Sequence, residues 1–293
     1  MGGFEGGDEG GFWDDEDLHT FNTKKIQPPH KDKIDIQVKN SIYSIKAYAK
    51  ITIFLKITGY KDGHHTLLSR FMRVQNVYDT ISIIPCTCET FSIEGCDNIT
   101  LEENTIYKAY KALLQYTNDS DIEDFFYEHK VIVKKRIPMQ ADLGGGSSDA
   151  ASFMHLVKEM CNLLLSVEEL AQIGRTIGED MPFFIYNYTS ANVSGFGEIV
   201  EAFEEEPLNI ELYTPNIKYD TALVYKIFKE HFFLSSFLNC EKRDSRSILE
   251  GILDPTLLND LYPAALLAYP DLKKEAKKNW FFSGSGSTFF KVL

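Results

Sequence analysis

The chain has 293 residues, of which 44% are hydrophobic and 25% charged, with a formal net charge of −13 and a pI near 5.0. That length holds one large or two modest domains, and the acidity excludes nucleic-acid binding through a broad basic surface. No stretch approaches the roughly 18 to 20 apolar residues of a membrane helix, and the N-terminus lacks the basic and apolar regions of a signal peptide, so a cytoplasmic chain with no membrane contact is expected.

The first 40 residues differ in kind from the rest. Six glycines fall in the first eleven positions, residues 1–17 carry seven acids and no Lys or Arg, and Phe12, Trp13 and Pro28-Pro29 follow among charged residues. Low periodicity with high charge predicts a disordered tail over residues 1–40, or a short acidic-aromatic segment that docks on a partner.

From Ser41 the pattern turns strand-like. Ile42, Ser44 and Lys46 alternate, and Ile51, Ile53, Leu55 and Ile57 interleave with Thr52, Phe54 and Lys56; further strands are predicted over Tyr78–Ile84 and Thr90–Glu94. A helix follows over Thr105–Tyr116, then a β-branched strand over Val131–Lys135. Apolar residues at Ala151, Met154, Val157, Met160, Cys161 and Leu164 predict a second helix. A third, over Val167–Ile177, starts at an N-cap Ser166 with Glu169 completing a capping box. Strands over Glu198–Phe203 and Ile210–Tyr213 flank an acidic break, Glu204-Glu-Glu-Pro207. Helices over Ala222–His231, Arg246–Leu253 and Tyr269–Lys278 close the pattern. Strands open the first part and helices close it, which predicts an α+β fold with a boundary near residue 200. Five cysteines (Cys86, Cys88, Cys96, Cys161 and Cys240) are an odd number and point to thiols instead of a disulfide framework. Cys86-Thr-Cys88 is not a usual zinc spacing, and no metal ligands are assigned.

The most informative stretch is Pro138-Met-Gln-Ala-Asp-Leu-Gly-Gly-Gly-Ser-Ser-Asp-Ala-Ala151. Glycine lets the main chain approach an anion closely and adopt positive φ, and a helix N-terminus offers N–H donors and the positive end of the macrodipole. A nucleotide phosphate suits such a loop; a plain helix-capping turn is the alternative. No lysine follows the glycines, so the loop is not a Walker A motif, and it does not spell the dinucleotide fingerprint.

Four further segments accompany the loop: Ala47-Tyr-Ala-Lys50-Ile-Thr52-Ile-Phe-Leu55, Gly63-His64-His65-Thr-Leu67, Gly178-Glu-Asp180-Met-Pro-Phe-Phe184 and Ser283-Gly-Ser-Gly-Ser287. In this order the chain resembles the GHMP kinase superfamily over residues 43–293, and most closely its branch that acts on a cytidine-diphosphate substrate. The resemblance implies two domains, a ribosomal protein S5 domain 2-like N-terminal unit over 41–200 and a ferredoxin-like C-terminal unit over 201–293, with the site between them. It implies ATP as co-substrate with Mg2+, a small-molecule cytidine-diphosphate acceptor, and a monomer or homodimer that binds no nucleic acid.

Site residues carry over by position. Pro138, Met139, Gln140, Ala141, Asp142, Leu143, Gly144, Gly145, Gly146, Ser147 and Ser148 would hold ATP. Asp180 would act as general base and Lys50 as the active-site cation. His65 keeps the base-recognising position, His64 replaces a stacking tyrosine, Tyr225 faces the base from its other side, and Thr52 stands where an asparagine is usual. Asp142 replaces a glycine before Leu143, and Glu179 a small residue. A carboxylate at position 142 beside a phosphate opposes ATP binding. The resemblance therefore leaves three readings: phosphorylation of the cytidine-linked alcohol, another GHMP kinase activity of homoserine or mevalonate type, or a catalytically impaired binding protein.

Overall fold

A computed structural model describes residues 34–217, 219–232, 239–252 and 254–293. In chain order it contains β1 (Gln37–Lys39), β2 (Ile42–Lys61), β3 (His64–Pro85), β4 (Ile93–Glu94), α1 (Thr105–Thr117), α2 (Ser120–Tyr127), β5 (His129–Lys134), α3 (Gly145–Met160), α4 (Val167–Arg175), α5 (Met181–Tyr186), β6 (Ser190–Gly195), β7 (Ile199–Ala202), β8 (Ile210–Tyr213), α6 (Thr221–His231), α7 (Ser245–Glu250), α8 (Leu261–Ala268), α9 (Leu272–Glu275), β9 (Phe281–Phe282) and β10 (Phe289–Val292). Residues 1–33, most of the expected tail, lie outside the described residues. Gln37–Lys39 pair with Ser44–Ile42 as an edge strand, so regular structure begins before Ser41.

The framework is one long hairpin. The sequence suggested separate short strands, but Ile42–Lys61 and His64–Pro85 run almost unbroken and pair along their whole lengths around the turn at Asp62-Gly63. Register shifts after Tyr48, Thr52 and Ile57 bend the ribbon, as bulges do. The far half of β3 pairs with β5 and the near half with β6, so one strand serves two parts of the seven-stranded sheet. β8, β10 and β9 form a separate antiparallel sheet. Mixed helix and sheet content agrees with the expected α+β class.

Helix α3 lies at the centre. Ten consecutive residues from Ser148 to Val157 are buried, so that middle stretch presents no solvent face, whereas the sequence suggested an amphipathic helix reaching Leu164. It ends at Met160, and Leu164 is fully exposed. Its packing with α1 and the far half of the hairpin makes one core around Ile81, Phe126 and Phe153. The near half packs on α6 and α8 around Leu55, Val224 and Phe282. A third cluster joins Ile51, Phe54 and Met72 of the hairpin to Ile210, Ile248 and Phe290. The predicted capping box of α4 is present, with Ser166 and Glu169 bonded reciprocally. The predicted helix over Tyr269–Lys278 shrinks to Leu272–Glu275, and α2, α5 and α8 are additional. Cys86 and Cys88 are joined as a disulfide, against the expectation of thiols; Cys96, Cys161 and Cys240 are free. Among the described residues no helix is long and apolar enough to cross a membrane.

Buried charges fasten the C-terminal segment to the hairpin. Arg70 is fully buried: Nε donates to Asn192 Oδ1 at 2.7 Å, and the guanidinium reaches Glu205 Oε1 at 3.2 Å and the carbonyls of Glu241 and Arg243. Glu205 also accepts from Ser190 Oγ and from the Ser245 amide and hydroxyl. Burial lowers the Arg70 pKa and Glu205 pulls it back up. Lys56 pairs with Asp260, whose other oxygen accepts the Ile57 amide at 2.9 Å. Removing one partner of such a pair strands a buried charge at a cost of about 3–5 kcal/mol. Glu205→Ala is expected to lower the urea-unfolding free energy by that amount, while the double substitution Arg70→Met/Glu205→Leu loses much less.

Candidate active site

Strand β5 leads through Lys135, Arg136 and Ile137 into the glycine loop, and Asp79 fixes that exit by accepting the Ile137 amide at 2.9 Å and the Arg136 amide. Lys135 bridges Asp79 to Asp149 of α3, with Nζ 2.7 Å from Asp149 Oδ2. Burial pushes the Asp149 carboxyl up to about 8, with Lys135 opposing the rise. Gly144 caps α3 at φ 69 with no side-chain cap bond, leaving the N-terminal amides of the helix to face a guest. A β-carbon there would also come within 2.6 Å of the Phe184 ring, so this position needs glycine. The Leu143 carbonyl accepts the Lys50 amide at 2.9 Å, which ties the loop to β2.

Three cavities lie in series along this seam. The first, about 930 Å³, is lined by residues 95–99, 103–105 and 135–146 together with Asp149. Pro138 to Gly146 all border it. The second, about 350 Å³, collects Lys50, Thr52, Asp142, Ser147, Asp180 and Tyr225. The third, about 400 Å³, is bordered by Tyr60, His64, His65, Phe196, Tyr225 and Lys229. Ser147 therefore faces the middle cavity instead of the first. Ser148 lines neither; it is buried beside Ser152 and Phe183 in a small space behind α3.

Lys50 occupies the centre of the middle cavity. Its side chain is 2% exposed, and Nζ lies 3.5 Å from Asp142 Oδ2 and 3.5 Å from Asp180 Oδ2, over the Phe71 ring at 4.4 Å. Burial alone would lower its pKa, but the two carboxylates outweigh burial and leave it raised. Asp180 sits at the N-cap of α5 with no capping bond, so its carboxylate is available to the cavity. Thr52 Oγ1 is 3.4 Å from Lys50 Nζ, and the Thr52 amide donates to Ser283 Oγ at 3.0 Å. The Ser283–Ser287 segment thus reaches the site from the end of the chain. Asp142 has φ 56, the left-handed conformation expected of the glycine it replaces and one that Asp tolerates. Burial pushes its carboxyl up to about 6, against the pull of Lys50.

The aromatic residues gather differently from the expectation. His65 packs directly on Tyr225, ring centroids 5.5 Å apart and tilted by 32°, which leaves no room for a base between them. It also meets Tyr60 edge-on at 5.0 Å. Burial, then the charge of Lys229, lowers its pKa. His64 instead faces Phe196 at 6.0 Å. Phe196 was not singled out from the sequence. Its signal was Gly195-Phe-Gly197, where φ values of 72 and 124 turn the β6–β7 hairpin and hold the ring over the cavity.

Among the described residues no group of three His, Cys, Asp or Glu could hold a metal ion.

The family model for the GHMP kinases N terminal domain matches residues 104–188. A 4-diphosphocytidyl-2-C-methyl-D-erythritol kinase of Sulfurovum sp. (strain NBC37-1) is 56% identical over 255 residues, covering 86% of this chain and 99% of that protein. One of the same name from Sulfurimonas denitrificans is 44% identical, covering 84% and 96%. A crystal structure of 4-(cytidine 5'-diphospho)-2C-methyl-D-erythritol kinase superposes with a TM-score of 0.69 at 26% identity, over 85% of this chain and 90% of that one.

Lys50 holds two carboxylates apart, and its removal has a readable effect. Lys50→Met is expected to raise the Asp142 titration above about 6, followed by carboxyl 13C chemical shifts, because the attraction is lost and the repulsion from Asp180 remains. An unchanged midpoint would separate Lys50 from the Asp142 charge.

Proposed function

We propose that this chain, which belongs to the 4-diphosphocytidyl-2-C-methyl-D-erythritol kinase family of GHMP kinases, transfers the γ-phosphoryl group of ATP to the 2-hydroxyl of 4-diphosphocytidyl-2-C-methyl-D-erythritol, a step of non-mevalonate isoprenoid precursor synthesis. The observation that carries the reading is the series of three cavities with Lys50 and Asp180 at the middle one.

The glycine loop and the N-terminal amides of α3 would bind the triphosphate in the first cavity, with Mg2+ neutralising part of its charge. The substrate polyol would fill the middle cavity and its cytosine the third. Asp180 Oδ2 would accept the hydroxyl proton as the oxygen attacks phosphorus. Lys50, 3.5 Å from Asp180 Oδ2, holds that carboxylate in place and offsets the negative charge that builds on the transferring group. Because His65 and Tyr225 touch each other, the base would stack on the outer face of this pair, with His64 and Phe196 closing the other side. Burial keeps His65 neutral at pH 7, so one ring nitrogen can accept a hydrogen bond and the other donate one.

The two sheets support a division into an ATP-binding unit over 41–200, of ribosomal protein S5 domain 2 type, and a ferredoxin-like unit over 201–293, the seam between them being the site. A cytoplasmic monomer or homodimer fits this reading. The second reading, an impaired family member, is favoured by a single observation, the Asp142 carboxylate inside the glycine loop.

Coupled measurement of ADP release decides among these. Release is expected to require 4-diphosphocytidyl-2-C-methyl-D-erythritol with one ADP formed per phosphorylated product, and Asp180→Asn is expected to lower kcat by about 10²–10⁴-fold. Turnover of homoserine or mevalonate in place of the cytidine substrate would reassign the acceptor. No turnover with any of them would favour the impaired reading.

A further inference from the structure

Asp142 borders both the first and the middle cavity, and among the described residues it is the one shared by the two. Its carboxylate therefore stands where the two spaces meet. Oδ2 accepts the Ser285 amide at 3.1 Å and lies 3.5 Å from Lys50 Nζ. One oxygen of this side chain therefore engages a backbone N–H and a buried ammonium together, the pair of donors that a phosphoryl oxygen at this point would need. The contact is close-packed: Gly284 has φ 54, and a β-carbon on it would overlap the Asp142 carboxylate. Asn259 Nδ2 holds the Gly284 carbonyl at 2.7 Å, so the loop that supplies the amide is itself fixed.

We propose that the Asp142 carboxylate is an internal mimic of the transferred phosphoryl group, which occupies the Lys50 and Ser285 donors in the ligand-free protein and competes with the γ-phosphate of ATP for them. The proposal rests on the kinase reading above and adds to it a positioning residue that sets nucleotide affinity. ATP must displace the carboxylate by rotation of the side chain, or meet it after protonation. The charged groups around it are Lys50 on β2 and Asp180 at the head of α5; the phenols of Tyr219 and Tyr225 on the C-terminal side also feel its charge. Both phenols stay neutral across the physiological range, because burial and these carboxylates raise them. Competition is therefore strongest where Asp142 is ionised and fades as pH falls through about 6.

Asp142→Asn tests this, since it keeps the shape, an acceptor for the Ser285 amide and tolerance of positive φ while removing the charge. Calorimetric titration with ATP and Mg2+ at pH 8 is expected to show about tenfold to a hundredfold tighter binding by the variant than by the wild type. The difference is expected to shrink at pH 5.5, and KM for ATP is expected to fall in step with the dissociation constant. A melting curve matching the wild type verifies folding, and Asp142→Gly provides a second charge-free variant. Variants that bind ATP no tighter than a wild type that does bind it overturn the mimic and leave the kinase reading standing. Weaker ATP binding together with a raised Mg2+ requirement overturns it in favour of a metal ligand. A wild type that binds no ATP overturns both.

Discussion

One ammonium held between two carboxylates sets the geometry of the whole seam. Lys50 is almost completely buried, and a lone charge there would cost several kcal/mol or lose its proton. It survives because four separate parts of the chain converge on it. Strand β2 supplies the lysine, the glycine loop supplies Asp142, the head of α5 supplies Asp180, and the Ser283–Ser287 segment closes over Thr52. The backbone bond from the Lys50 amide to the Leu143 carbonyl keeps loop and strand in register. The cation can thus be seen as the reason these segments must meet, and the ion pairs as what makes their meeting tolerable.

The long hairpin makes that convergence possible. A strand of 22 residues spans well over 60 Å, enough for β3 to pair with β5 at one end and with β6 at the other. Each core borrows residues from it. Among the described residues the C-terminal segment pairs with this ribbon through one isolated bridge, from Leu55 to Asn259. Its attachment depends on packing and on polar clasps: Arg70 with Glu205, Lys56 with Asp260, and Thr288 Oγ1 on the Ala141 carbonyl at 2.7 Å. Such clasps are directional where hydrophobic contact is not. They fix the distance across the cavities, which a slipped hydrophobic interface would leave variable.

Much of this was legible in the residues. The glycine loop, the α4 capping box and the strand at Ile210–Tyr213 carry local signals, namely glycine's access to positive φ, a side-chain cap and apolar–polar alternation. The meeting of Lys50 with Asp180 came from family resemblance, since nothing local brings residues 130 positions apart together, and the contact of Asp142 with Lys50 was not legible. The failures have physical causes. Apolar runs at bulges interrupt the period of two, so one long hairpin looked like several short strands. The middle stretch of helix α3 is buried on every side, so its apolar period carries no information about a solvent face, and Leu164 was counted with a helix that stops four residues earlier. Helix α8, Leu-Tyr-Pro-Ala-Ala-Leu-Leu-Ala, is almost uniformly apolar, with Pro263 in its first turn, and shows no periodic signal. Phe196 draws its importance from a hairpin tip that only the fold places over the cavity.

The charges along the seam alternate in a way that the chemistry can use. The uncapped N-terminus of α3 carries roughly half a positive charge at the first cavity. Asp142 follows, then Lys50 and Asp180 at the middle cavity. With both carboxylates ionised the three side chains sum to a single negative charge, which opposes an incoming phosphate by about 3 kcal/mol at 6 Å and an effective dielectric near 20. The helix terminus acts in the opposite sense. If Asp142 swings away as the phosphoryl arrives, its negative charge is exchanged for that of the transferring group, and Lys50 keeps two anionic neighbours throughout. The ammonium is then never desolvated without a partner, and the change in local charge during transfer is small. A glycine at position 142 would leave Lys50 with Asp180 alone until ATP bound. As the proposed phosphoryl mimic, the aspartate would trade nucleotide affinity for a cation that is already in place.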